Sequence, residues 1–220
     1  MPGTLRRTAF VGAVTFLIAA IGLTDMGLAQ VSAPDSAASA VDGPPRPVMP
    51  TAGWANPPIG YLSFCLAFPA ECRRQGATDA VAITENLWTE LIAVNRVINK
   101  RIEPVTDLEI YDTEEHWTLP ADRGDCEDYV LLKRQALIRQ GWPSGALLIT
   151  VVFDEVGDGH AVLIARTDRG EFVLDNKVDA IRIWSETPYR YVKRQSVSDP
   201  DQWVAINDSR WPVGSTASAR

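Results

Sequence analysis

The stretch Ala146-Leu147-Leu148-Ile149-Thr150-Val151-Val152-Phe153 decides the fold class. It is an almost continuous run of apolar and β-branched residues, the pattern of a strand. The turn-rich segment from Asp154 to Gly159 follows, and His160 to Arg166 gives a second strand. Thr167-Asp168-Arg169-Gly170 reads as a hairpin turn with Glu171 to Leu174 returning. Ile181 to Trp184, Tyr189 to Val192 and Trp203 to Ile206 are expected to add edge strands. Upstream the period changes. From Ala80 to Ile102, Val81, Leu87, Trp88, Leu91, Ile92, Val94, Val97 and Ile98 recur at helical spacing, predicting one helix that runs through Thr84 and ends near Lys100. Pro104 breaks the chain, and Thr106 to Pro120 reads as a polar connector containing Trp117. A second helix is predicted from about Asp125 through Val130, Leu131, Leu132, Ala136, Leu137 and Ile138, stopped by Gly141 and Pro143. Helices first and hairpin-connected strands afterwards imply an α+β fold: a helix packed on an antiparallel β-sheet.

The N-terminus points to export. Arg6 and Arg7 precede fifteen uncharged, mostly apolar residues from Ala9 to Leu23, and Gly27-Leu28-Ala29 offers small residues for cleavage. Thr24-Asp25 ends the run short of the ~20 apolar residues that a membrane span needs. Residues 1–29 are therefore expected to be a signal peptide. Residues 30–52, rich in Pro, Ala and Ser, read as a disordered linker, residues 53–208 as one domain, and 209–220 as a loose C-terminal tail. Without the signal the chain carries 19 basic and 27 acidic residues, a net charge of −8, which argues against nucleic acid and gives no hint of binding to anionic lipid. No membrane span is expected in the mature form.

Cysteine use separates structure from chemistry. Cys65 and Cys72 lie seven apart in a Pro-punctuated segment, and a local disulfide is the economical reading in an oxidising compartment. A metal site there would lack nearby histidines. Cys126 is left as the odd thiol. It sits in Gly124-Asp125-Cys126-Glu127-Asp128-Tyr129 at the expected first turn of a helix, where unpaired N–H groups favour a thiolate. Asp125 and Glu127 work against that, so they must be neutralised, turned away or occupied by a cation. His160 opens a strand, and Asp175 ends its hairpin neighbour, which makes them the expected base and orienter for the thiol. His116, in the connector, is read as a surface or local packing residue. The Cys126 N–H is a natural oxyanion donor. Trp117, Asn95 and Asn99 are candidates for the second.

Trp117-Thr118-Leu119-Pro120, the Gly124–Tyr129 run and Lys133 together resemble the nucleophile motif of the bacterial transglutaminase-like cysteine proteinases. Gly159-His160-Ala161-Val162-Leu163 and Val173-Leu174-Asp175-Asn176 resemble that family's histidine and aspartate motifs, in the same order, and the likeness runs from about Pro57 to Ile206. The resemblance implies a papain-like, transglutaminase-like core and a cysteine endopeptidase with the triad Cys126, His160 and Asp175, working through a thioester. It further implies the periplasm of a Gram-negative bacterium and calcium held by Asp125 and Glu127. The implied protein substrate is a large surface adhesin whose cutting releases biofilm cells, and the implied regulator is an inner-membrane receptor. Two alternatives stand beside it: transglutaminase-type acyl transfer with the same triad, and a catalytically idle binding domain.

Overall fold

The computed structural model describes residues 48–210. The expected signal peptide, the linker as far as residue 47 and the tail from 211 onward lie outside the described residues. In chain order the elements are β1 (Thr51–Ala55), α1 (Ile59–Ala67), α2 (Glu85–Arg101), β2 (Glu103–Pro104), α3 (Asp107–Tyr111), β3 (Arg123–Gly124) and α4 (Cys126–Arg139). The strands β4 (Leu147–Phe153), β5 (Gly159–Thr167), β6 (Gly170–Leu174), β7 (Arg182–Ile183), β8 (Arg190–Gln195) and β9 (Trp203–Ile206) follow.

Seven strands form one sheet in the order β1-β9-β8-β4-β5-β6-β7, and every pairing within it is antiparallel. The architecture is α+β, as the order of periodicities implies. β4 and β5 are hydrophobic almost throughout because both sheet faces are covered. Leu147, Ile149, Ala161, Leu163 and Leu174 pack against Leu91, Val94 and Ile98 of α2 and against Val130 and Leu137 of α4. On the other face Leu148, Val152, Val162 and Ile164 pack against Trp184, Tyr189 and Tyr191. Among the described residues, no helix is long and apolar enough to cross a membrane.

The structure departs from the sequence reading in four places. Thr84 is not inside a helix; it caps α2, accepting from the Leu87 N–H at 3.3 Å, while Val81 bridges to Thr167. The polar connector contains α3, closed by a reciprocal capping box between Thr106 and Glu109. β8 and β9, both expected at an edge, are interior strands, β8 between β9 and β4 and β9 between β1 and β8; the edges are β7 and the unforeseen β1. The domain also begins before residue 53. Met49, inside the expected linker, is buried and its N–H donates to Glu171 at 2.8 Å, so an apolar anchor holds this segment to the core.

Cys65 and Cys72 are joined in a disulfide that ties α1 to the turn after it. Closing so short a loop stabilises the fold by about 2 kcal/mol. Reduction is therefore expected to lower the melting temperature by several degrees, measurable by calorimetry with and without dithiothreitol.

Candidate active site

Cys126 begins α4, with Asp125 at its N-cap position. Asp125 does not cap its own helix. Its Oδ2 accepts from the Asp107 N–H at 3.2 Å, so the carboxylate is turned toward α3. Gly124 is required by close approach, because a Cβ there would stand 2.3 Å from Asp128 Oδ2. Asp128 is fully buried and its other oxygen accepts from the Thr118 N–H at 2.8 Å, anchoring the segment that carries Trp117. Burial pushes the Asp128 carboxyl up to about 8.

β5 brings the base to the thiol. His160 is buried, and its Nε2 lies 2.9 Å from Asp175 Oδ1. The other ring nitrogen, Nδ1, is the one left for the thiol. The same strand supplies the Ala161 backbone N–H as a hydrogen-bond donor to Cys126. Asp175 follows β6 and is held on three sides: by His160, by the Lys177 N–H at 3.0 Å, and by the Tyr189 hydroxyl at 2.5 Å on Oδ2. Burial alone would raise the Asp175 carboxyl, but these bonds and the charge of His160 outweigh it and hold it below its ordinary value. Tyr189 belongs to no chemical motif, and a sequence pattern gave no reason to single it out.

Cys126, Glu127, Gly159, His160 and Ala161 line one cleft of about 360 Å³, together with Trp117, Val151, Glu115, Lys193 and the Pro58-Ile59 corner. Trp117 packs edge-on to Tyr61 and its indole N–H donates to Glu115 at 2.9 Å. The indole lies so close to α1 that a Cβ on Gly60 would stand 2.2 Å from it. Gly60→Ala is accordingly expected to destabilise the fold by about 1–3 kcal/mol, read as a lowered melting temperature, and to displace the cleft wall. Asn95 and Asn99 are elsewhere: their amide nitrogens bond to the 175–179 loop. His116 is exposed, stacked on Tyr111 at 4.2 Å, with its backbone N–H bound by Asp107.

Acidic residues crowd the nucleophile. Carboxylate oxygens of Asp107, Asp125 and Glu127 lie within 4.8 Å of one another. Asp107 was missed in the sequence because it sits in a connector with no motif; only α3 brings it across. The Oδ1 atoms of Asp107 and Asp125 are buried without a hydrogen-bond partner among the described residues. Burial, then the hydrogen bond and charge of Asp125, push the Glu127 carboxyl far above its usual range. Burial and the Glu127 charge likewise push the Cys126 thiol well up, against the Ala161 hydrogen bond. Cys126 Sγ also lies 3.3 Å from Glu127 Oε2. Such a trio of oxygen donors, held together at a cost in electrostatic repulsion, fits a hard divalent cation. Any such ion would take its remaining ligands from backbone carbonyls or water.

Residues 51–211 match the family model of bacterial transglutaminase-like cysteine proteinases. Among solved structures the chain is similar to calcium-bound Legionella pneumophila LapG, at 23% identity over 58% of this chain and 75% of that one, with a TM-score of 0.47. A second LapG structure shares 25% identity over 56% and 71% of the two chains at a TM-score of 0.46. The EGTA-treated form gives 23%, over 56% and 73%, also at 0.46. No curated protein matches.

Proposed function

The chain belongs to the bacterial transglutaminase-like cysteine proteinases and is a cysteine protease, and from that premise we propose that it is a periplasmic, calcium-dependent endopeptidase that cuts a surface adhesin with Cys126, His160 and Asp175. The observation that carries the reading is the buried His160–Asp175 pair lining the same cleft as the helix-start thiol. Nε2 is committed to Asp175, so Nδ1 takes the thiol proton and later returns it to the leaving amine. The thiolate attacks the peptide carbonyl, a thioester forms, and water releases the acid. The Cys126 N–H, at the start of α4, would donate to the oxygen that develops negative charge in the tetrahedral intermediate. Asp175, held by three donors, keeps the imidazole in one tautomer and orientation.

Asp107, Asp125 and Glu127 would hold the calcium, and when bound it supplies positive charge that cancels the carboxylates opposing a thiolate. The chain's own part is to gather those carboxylates from α3 and α4 before the ion arrives. An inner-membrane receptor that sequesters the enzyme would fit a protease kept from its substrate until needed.

The test compares residues 30–220 of the wild type with Cys126→Ala against periplasmic and surface proteins, with calcium or with EGTA. A fragment formed only by wild type and only with calcium is expected, and its sequence names the substrate. Cleavage that persists in excess EGTA would remove calcium from the reading. Ammonia release and crosslinked products in place of fragments would replace hydrolysis by acyl transfer. A Cys126 that neither cuts nor reacts with iodoacetamide would overturn the assignment of the triad.

A further inference from the structure

Arg210 lies in the segment expected to be a loose tail, yet all three of its guanidinium nitrogens are bonded. Nε and Nη2 donate to the two carboxylate oxygens of Asp208 at 2.9 and 2.7 Å. Asp208 is buried and its Oδ2 also accepts from the Tyr191 N–H at 3.3 Å, which ties the pair to β8. The rest of the fork reaches back along the chain. Nη1 donates to the backbone carbonyls of Ser185 and Thr187 at 3.0 and 3.1 Å, and at 3.5 Å to that of Trp184. Nη2 donates to the carbonyl of Tyr189 at 2.9 Å. The face of the guanidinium covers the rings of Trp184 and Tyr191, 4.9 and 5.5 Å from their centroids. These carbonyls belong to the turn between β7 and β8, outside the sheet, so strand pairing does not take them up. A planar fork of five donors suits such a set of acceptors, and a lysine ammonium would not reproduce it.

The turn so held carries Tyr189. Its ring is buried and stands edge-on to the His160 imidazole, with centroids 5.6 Å apart. Its hydroxyl donates to Asp175 Oδ2 at 2.5 Å, while Asp175 Oδ1 lies 2.9 Å from His160 Nε2. Burial and that hydrogen bond push the hydroxyl pKa up, so it keeps its proton and remains a donor. A phenylalanine would fill nearly the same space. A hydroxyl aimed at the carboxylate is what a core filler does not need. Each link is a contact: Arg210 on the Tyr189 carbonyl, the Tyr189 hydroxyl on Asp175, and Asp175 on His160.

We infer that Arg210 and Tyr189 are positioning residues for the catalytic site. Arg210 fixes the 184–189 turn by its carbonyls, so that the Tyr189 hydroxyl holds one oxygen of Asp175 and leaves the other facing His160. The inference rests on the triad reading and extends it to the end of the described chain. Neither residue lines the cleft, so both act through Asp175 and not on substrate.

The test uses calcium-loaded residues 30–220 with isotope-labelled histidine, as wild type, Tyr189→Phe, Arg210→Lys and the double variant. Magnetic resonance follows exchange of the His160 Nε2 proton with water, and kcat and KM are measured on the fragment-yielding substrate. The chain has two histidines, and the other, His116, is exposed, so the two imidazoles are told apart directly. Y189F is expected to quicken exchange by about tenfold, the weight of one hydrogen bond. Its kcat should fall by about tenfold with KM unchanged, short of the ~10²-fold that a 1 Å misplacement brings. R210K keeps the charge and loses the fork, and should move both readouts the same way. The double variant should match Y189F, because Arg210 acts through Tyr189. Wild-type exchange and kcat in Y189F or R210K, with only a lowered melting temperature, would make that residue a structural filler and overturn the proposal. Losses that multiply in the double variant, or a raised KM at unchanged kcat, would overturn it too. Asp208→Asn keeps Arg210 and weakens its anchor, and serves as a second arm if R210K does not fold; the same direction is expected, and wild-type behaviour overturns the clamp. A wild type that cuts nothing would overturn the protease reading. Exchange at His160 needs no thiol chemistry and would still decide the positioning role.

Discussion

His160→Ala lowers kcat on a cleaved protein by at least about 10³-fold while the chain remains folded, because loss of the base disables a nucleophile–base pair as a unit. The size follows from the state of the thiol. Burial, the largest cause, pushes the Cys126 thiol well up whether or not calcium cancels the Glu127 charge, so without an imidazole the nucleophile is scarce at neutral pH. The imidazole is also hard to replace. Its side chain is 2% exposed and fastened to Asp175, so its free nitrogen is held in one orientation, which a freely diffusing base in the cleft lacks. Adding His160→Ala to Cys126→Ala should cost nothing further, since the two residues act in one step. The check is kcat and KM on the fragment-yielding substrate, with circular dichroism to confirm folding. An H160A enzyme within tenfold of wild type would show that another group takes the proton.

The second large effect is expected at the carboxylate trio. Asp107→Asn should weaken calcium binding by at least about 100-fold, since even losing an outer partner of a ligand costs 10–100-fold. Isothermal titration would measure this, and activity at low calcium should fall in parallel. Binding should also raise the melting point of wild type, contributing about 2.7 kcal/mol at one hundred times its Kd, against about 0.4 kcal/mol or less for D107N at that concentration. The pH dependence has a definite sign. Glu127 has a raised carboxyl pKa, so calcium must displace a proton to use it, and affinity weakens as pH is lowered. Unaltered calcium affinity in D107N would move the site elsewhere.

The parts of this molecule visible in the sequence were those with a short period or a dense motif. The β4–β6 meander and α4 follow from apolar patterning and turn residues a few positions apart. Cys126, His160 and Asp175 were visible because two residues of rare type and one strand-end acid stand at the ends of those elements. Asp107 and Tyr189 were not. One lies on a five-residue helix inside a polar connector, and the other follows a short 3₁₀ turn, so each reaches the site only through tertiary packing. β1 stayed hidden for a related reason. Thr51-Ala52-Gly53-Trp54-Ala55 is exposed along most of its length and lacks an apolar face, so its strand character comes from pairing with β9. Asn95 and Asn99 looked like candidates for the cleft because amides suit an oxyanion. Helical phase turns them instead toward the 175–179 loop.

That pairing of β1 with β9 has a mechanical consequence. Thr51 lies opposite Ile206, so the strand that starts the domain and the strand that closes it run antiparallel, with their outer ends side by side. Tension applied through residues 51 and 206 would open the β1–β9 ladder like a zipper, one hydrogen bond at a time, and would not shear the sheet all at once. The edge should peel at low force, while β4 to β6, with the residues around His160 and Asp175, keep their places until later.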